Sequence, residues 1–79
     1  MGKKLHKTQE GEYYRTGSIV IFTWSYMQLG QKQTYTGKVD EYTPEIDFNN
    51  HIGVWAVNDE GKERRFSVER HNIVKRLKF

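Results

Sequence analysis

The sequence predicts a small all-β domain built from five short strands. Runs of β-branched and aromatic residues recur at short intervals, several of them alternate between apolar and polar residues, and Gly- or Asn-containing turns separate them. The 79 residues leave room for one domain only. A chain of this length buries only about 60% of the surface of its unfolded state, so a small core must suffice.

The first two predicted strands differ in how deeply they are buried. Residues 17–24, with the sequence GSIVIFTW, form a short apolar run that is typical of a buried strand. Residues 34–42 alternate between two faces, which predicts a half-exposed strand with a bend or bulge at Gly37. The polar residues 25–33 between these strands predict a long hairpin loop.

A tight turn joins the third and fourth predicted strands. Residues 52–58 alternate between two faces, and the sequence NDEG that ends them is typical of a type I turn whose glycine adopts the left-handed region. The next strand should begin at Lys62. Upstream of this hairpin, residues 43–50 predict a single helical turn that ends in a loop.

The closing stretch ERRFSVERHNIVKRLKF, residues 63–79, admits two interpretations. Four of its apolar residues fall on one side of a helical wheel, but a basic residue interrupts that stripe, and His71-Asn72 suits a helix interior poorly. We therefore expect a strand, a tight turn at residues 69–72 and a final strand at residues 73–77.

The order of these elements resembles that of SH3-like small barrels of the KOW and Tudor type. Residues 17–20 (GSIV) resemble the opening strand of those modules, residues 36–39 (TGKV) their second strand, and residues 69–77 their closing turn and strand. The resemblance implies a five-stranded SH3-like barrel over residues 17–79, with a short 3₁₀ turn before the last strand. Residues 1–16 are expected to form a flexible basic arm, with Tyr13 and Tyr14 as the candidate points of attachment to the domain.

Barrels of this kind are known to bind nucleic acids, methylated side chains or proline-rich peptides, so the fold does not choose a function. The charge distribution favours nucleic acid. Residues 61–79 carry seven Lys or Arg against two Asp or Glu, a net +5 within a total of +3. Such a cluster attracts phosphate, and exposed rings stack on bases. The candidate residues for a low-specificity RNA or DNA interface are Arg64, Arg65, Arg70, Lys75, Arg76, Lys78, Trp24, Tyr26 and Trp55. Alternatively, the charges are ordinary solvated groups and the rings close a small core.

The acidic segment 40–48 supports a rival hypothesis, a protein-interaction module. This segment repels phosphate and attracts a basic protein, and its apolar residues suit an anchoring role. Its candidate residues are Asp40, Glu41, Tyr42, Glu45, Ile46, Asp47 and Phe48. Such a module would suit a phage or mobile-element protein that acts on a host factor. A third hypothesis is a homo-oligomer formed through an exposed strand edge, and the sequence leaves the oligomeric state open.

Several classes of function are not expected. The chain has no cysteine, and His6, His51 and His71 lack the spacing of metal ligands, so we expect no metal and no cofactor. No serine stands beside a histidine and no phosphate-binding loop is present, so we expect neither an enzyme nor a small-molecule substrate. No apolar run approaches the roughly 18 residues that span a membrane. We expect a cytoplasmic protein without a membrane partner.

Overall fold

The computed structural model describes residues 6–26, 31–40 and 51–79, and this part of the chain is all-β. One 3₁₀ turn, Arg70–Asn72, precedes the last strand. No helix in the described ranges is long and apolar enough to cross a membrane. The strands are β1 (His6–Lys7), β2 (Tyr13–Tyr14), β3 (Ile19–Tyr26), β4 (Gln31–Val39), β5 (His51–Val57), β6 (Glu63–Glu69) and β7 (Ile73–Lys78).

Strands β3 to β7 form one antiparallel sheet in the order β6-β5-β4-β3-β7, and β1 and β2 form a separate two-stranded ribbon. Each strand from β3 to β6 pairs with its neighbour in sequence, and β7 returns to pair with β3. The predicted all-β class and the 3₁₀ turn before the last strand are therefore confirmed. The closing stretch of the chain forms strands, as expected, and not a helix.

The hairpin between β3 and β4 is longer than predicted. Ser25 pairs with Lys32 and Tyr26 with Gln31, so the ladder continues through most of the segment expected to be a loop. Only residues 27–30 remain between the two strands, and they lie outside the described residues. The prediction of a long loop at residues 25–33 was wrong because backbone pairing satisfies the N–H and C=O groups of polar residues as well as apolar ones.

The core lies on one face of the sheet and is rich in aromatic rings. The Phe66 ring contacts the rings of Phe22 and Tyr35, at centroid distances of 5.4 and 5.2 Å. The predicted alternation is confirmed for residues 34–39, 54–57 and 65–69, whereas residues 52–54 are all buried and residues 63–65 all exposed. The buried apolar residues are Tyr14, Val20, Phe22, Tyr35, Val39, Ile52, Val54, Ala56, Phe66, Val68 and Ile73.

Gly37 permits the close approach of β4 and β5. No register shift occurs at this residue in its pairing with Val20 or with Ala56, so the expected bulge is absent there. A Cβ at Gly37 would overlap the main-chain oxygen of Trp55 and lie 2.7 Å from Cγ1 of Val54. The glycine is required by packing between two strands, which the sequence of one strand cannot reveal.

The turn between β5 and β6 follows the prediction. Gly61 has φ of 80°, and its N–H donates to the main-chain oxygen of Asn58 at 3.0 Å. The Asn58 side-chain oxygen accepts hydrogen bonds from the N–H groups of Glu60 and Lys62, at 2.9 and 3.0 Å. Strand β6 begins at Glu63, one residue later than predicted, because the N–H of Lys62 is used by the turn.

Residues 6–16 of the expected flexible arm instead form a hairpin that packs on the sheet. Tyr14 is only 1% exposed and belongs to the core. The N–H of Gln9 donates to the main-chain oxygen of Ile73 at 2.8 Å, and Oε1 of Glu12 accepts from the N–H of Arg76 at 2.9 Å. These bonds cover one edge of β7. Two-residue strands carry no readable periodicity, which is why the sequence did not predict them; residues 1–5 lie outside the described residues.

Candidate nucleic-acid interface

One row of residues crosses the outer face of the sheet from edge to edge. Directly paired positions on neighbouring strands define it: Ile19 pairs with Lys78 on one side and with Lys38 on the other. Lys38 pairs with Trp55, and Trp55 with Arg65. The three cations are exposed, and Ile19 is partly buried. We call these five residues, Lys78, Ile19, Lys38, Trp55 and Arg65, the outer row.

Trp55 lies between two cations and faces solvent. It is 41% exposed, because the alternation of β5 directs Val54 and Ala56 into the core and Trp55 away from it. Within the described ranges, no other ring and no cation stacks on the indole. An exposed tryptophan beside Lys and Arg is a suitable platform for a planar, anionic ligand.

Arg65 is held in position by two residues of other strands. Its Nε donates to Oδ2 of Asp40 at 2.6 Å, with the Asp40 side chain 9% and the Arg65 side chain 36% exposed. The guanidinium lies over Gly53, where a Cβ would overlap it. Nε is thus occupied, and the two Nη groups form no hydrogen bond with any other described residue. Arg65 therefore presents an oriented charge over Gly53, beside its own position at the end of the outer row.

The predicted basic residues do not form a single patch. Arg64 and Arg65 lie on β6, whereas Lys75, Arg76 and Lys78 lie on β7, and these strands are the two edges of the five-stranded sheet. Four inter-strand spacings separate them, roughly 19 Å along the sheet at about 4.8 Å each. The cations that share the outer face are Arg65, Lys75 and Lys78; Lys75 pairs with Ile21, two residues along β3 from the outer row.

Arg76 and Arg70 contact the N-terminal hairpin. Nη1 of Arg76 donates to the main-chain oxygen of Tyr13 at 3.0 Å, and its guanidinium lies 5.2 Å from the ring centroid of Phe79. Arg70 lies beside the hydroxyl of Tyr14. Burial raises the pKa of Tyr14 to about 12, and the positive charge of Arg70 partly opposes that rise. These two predicted phosphate ligands therefore have structural contacts of their own.

The predicted aromatic residues are also divided between the two faces. Trp24 is partly buried and packs edge-on against Phe66, with ring centroids 5.2 Å apart. It thus lies on the core face, opposite Trp55, and the two rings cannot line one groove. Tyr35 is in the core as well. The side chain of Tyr26 lies outside the described part of the structure.

A second group of cations and rings joins the hairpin to the end of β7. The guanidinium of Arg15 lies 4.4 Å from the Phe79 ring centroid, and Nζ of Lys7 lies 5.0 Å from that of Tyr13. Oγ of the buried Ser18 donates to the main-chain oxygen of Phe79 at 3.1 Å. Tyr13 and Phe79 are 48% and 43% exposed, as much as Trp55, but each ring already carries a cation on its face, so the group holds the hairpin in place.

The acidic segment of the rival hypothesis is mostly outside the described residues. Glu41, Tyr42, Glu45, Ile46, Asp47 and Phe48 all lie there. Asp40 is described, and it is buried and paired with Arg65. The two predicted surfaces thus meet in one ion pair. In the described ranges, no three His, Asp or Glu side chains are grouped closely enough to hold a metal ion.

Lys38 is the cation of the outer row that the sequence did not identify, and the apolar Ile19 was not identified as a site residue either. It lies in a segment whose charges balance, far along the chain from the basic closing stretch. Its alternation with Gly37 and Val39 did predict an outward side chain, but only the register of β4 with β5 places it beside Trp55. No protein-family model, curated protein or solved structure matches this chain, so its own geometry must support the functional assignment.

Proposed function

We propose that this chain is a non-enzymatic binding module that associates with nucleic acid through the outer face of its sheet. The observation that carries this proposal is the position of Trp55, 41% exposed and directly between Lys38 and Arg65. The cations would contact phosphates and the indole would stack on a base. Contacts of this kind read little sequence, so low specificity is expected.

We further propose that the five-stranded sheet closes as an SH3-like barrel. The strand order supports this fold, since three successive hairpins are followed by a 3₁₀ turn and a last strand that returns to β3. In such a barrel the core face is enclosed and the outer row remains on the surface. A chain without cysteine suits the reducing cytoplasm, which we propose as its compartment.

A pair of double variants with equal change in charge tests the proposed interface. Lys38→Gln with Arg65→Gln removes two cations from the outer row. Lys62→Gln with Arg64→Gln removes two exposed cations from the adjacent turn and from the other face of β6. Binding of a labelled oligonucleotide, followed by fluorescence anisotropy at several salt concentrations, compares the two.

The first double variant should bind at least about tenfold more weakly, and the second should bind like the parent protein. The salt dependence of the binding constant distinguishes the two double variants further. Four outer-face cations, Lys38, Arg65, Lys75 and Lys78, predict a slope of log K against log salt of about −3 for a single strand, and the first variant should reduce its magnitude by about 1.4. Equal losses in both variants, or no binding by the parent at low salt, would contradict the proposal.

A further inference from the structure

We infer that the ligand of the outer row is a single-stranded polynucleotide, with one base stacked on Trp55 and the phosphates on either side bound by Lys38 and Arg65. This inference rests on the proposed function and narrows it from nucleic acid in general to an unpaired strand.

The exposed indole is the first reason for choosing a single strand. The faces of bases in a duplex are covered by their neighbours, whereas an unpaired base can place its face on an aromatic side chain. Trp55 lies on the surface of a sheet, and the described residues include no α-helix that would enter a major groove. A ring in this position can contribute to binding only if the base is unstacked from its neighbours.

The spacing of the cations is the second reason. Lys38 and Arg65 pair with Trp55 from opposite sides, so each Cα lies about 5 Å from that of Trp55 across the ladder. Both residues are exposed and flank Trp55 across the ladder, and the guanidinium of Arg65 lies along β5 over Gly53. A nucleotide whose base stacks on Trp55 has one phosphate before it and one after it. The outer row therefore presents one cation for each of these phosphates.

Acidic residues on β6 determine the direction in which the bound polynucleotide crosses the sheet. Glu63 and Glu69 lie on the same face as Arg65. They are two and four residues from it, or roughly 7 and 13 Å along β6. A polyanion that followed β6 would meet these carboxylates. A path across the strands, from Arg65 over Trp55 and Lys38 toward Lys78, avoids them and meets a cation or an apolar residue at every step.

The test measures the affinity of one labelled DNA oligonucleotide of mixed sequence, as a single strand and as the duplex with its complement, at low and near-physiological salt. Trp55→Leu removes the stacking surface, and Trp55→Phe retains a smaller ring. Val57→Ala is the matched control, because Val57 is exposed on the same strand and the same face. Circular dichroism confirms that each variant is folded.

We expect the parent protein to prefer the single strand. Trp55→Leu should weaken single-strand binding by about 5- to 150-fold, the equivalent of about 1–3 kcal/mol for one stacked base. Trp55→Phe should recover part of that loss, and Val57→Ala should have no effect. Binding to the duplex should be weak and insensitive to all three substitutions.

Two results would overturn the inference, and only the second would also contradict the proposed function. In the first, single strand and duplex bind equally, Trp55→Leu has no effect, and the Lys38→Gln with Arg65→Gln variant weakens binding. This result would support nucleic-acid binding but contradict both the preference for a single strand and the stacking of a base on Trp55. No binding of either form at low salt would remove the proposed function as well.

Discussion

Nε of Arg65 donates a hydrogen bond to Oδ2 of Asp40 at 2.6 Å, although the two residues are 25 positions apart in the chain. Asp40 follows β4 and Arg65 lies on β6, so the bond spans β5 and passes over Gly53. A carboxylate beside a proposed phosphate ligand lowers the local positive charge, but it also fixes the direction of the guanidinium. If the lowered charge dominates, removal of Asp40 should strengthen binding of an oligonucleotide. If the orientation of Arg65 dominates, removal of Asp40 should weaken it.

Asp40→Ala should weaken binding of a single-stranded oligonucleotide, even though it raises the net charge from +3 to +4. Without its partner, Arg65 must lose more side-chain freedom when it contacts phosphate. We expect a loss of about fivefold, close to the 1 kcal/mol net value of a hydrogen bond. Anisotropy titrations under conditions where the variant is fully folded provide the measurement. Tighter binding would show that the added charge dominates and that Asp40 does not position Arg65.

Gly37→Ala should destabilise the domain by about 1–3 kcal/mol, the usual cost of overpacking. The added Cβ would overlap the rigid main chain of β5 at Trp55. Gly53→Ala is the control, because the atoms that it would overlap belong to the end of the flexible Arg65 side chain. Urea unfolding should give a lower midpoint for Gly37→Ala and a much smaller change for Gly53→Ala. Equal costs would mean that β4 and β5 can separate freely at Gly37.

Tyr14 should make stability decrease at high pH. Its pKa is raised from 10.0 to about 12 by burial in the folded state. Between these values the folded state keeps the phenol proton that the unfolded state has released, so the free energy of unfolding falls as pH rises. Below pH 10 both states hold the proton, and this contribution is fully present. Urea unfolding of the parent and of Tyr14→Phe across this range should show a steeper loss for the parent. Parallel curves would contradict the burial of the hydroxyl.

Arg76 and Lys78 are two residues apart and should have different roles. Arg76→Gln removes the guanidinium that bonds to Tyr13 and lies beside the Phe79 ring, so it should lower the free energy of unfolding by about 1 kcal/mol. Its effect on oligonucleotide binding should be small. Lys78→Gln should weaken binding and leave stability unchanged, because Lys78 is an exposed member of the outer row. Weaker binding by Arg76→Gln together with unchanged binding by Lys78→Gln would contradict the outer row as the binding surface.

The sequence predicted the elements of the sheet well where their local chemistry is strong. The glycine turn before β6 and the alternation around Val54 and Phe66 were sufficient to place strands and faces. Tyr14 was a candidate anchor of the N-terminal arm, but the hairpin around it was missed, because its stability comes from contacts with β7 and not from its own pattern. Polar hairpin ends such as Ser25–Lys32 were missed for a related reason, since backbone pairing does not depend on apolar side chains.

The candidate site was predicted only in part, because it depends on register. The sequence identified Trp55 and Arg65 but grouped Arg65 with basic residues that lie on the opposite edge of the sheet. Proximity along the chain suggested that grouping. Lys38 joins the site through its pairing with Trp55, which is a long-range contact, and the ion pair of Asp40 with Arg65 is another. Neither contact has a signal in the local sequence.

An amide and indole NMR spectrum of labelled protein, titrated with a short single-stranded oligonucleotide at low and near-physiological salt, tests the central claim most directly. We predict that the largest shifts occur at Lys38, the indole N–H of Trp55 and Arg65, and that they weaken as salt increases. Shifts that are absent at low salt, or that are confined to the hairpin and Phe79 while Trp55 remains unchanged, would contradict the outer row as the nucleic-acid interface.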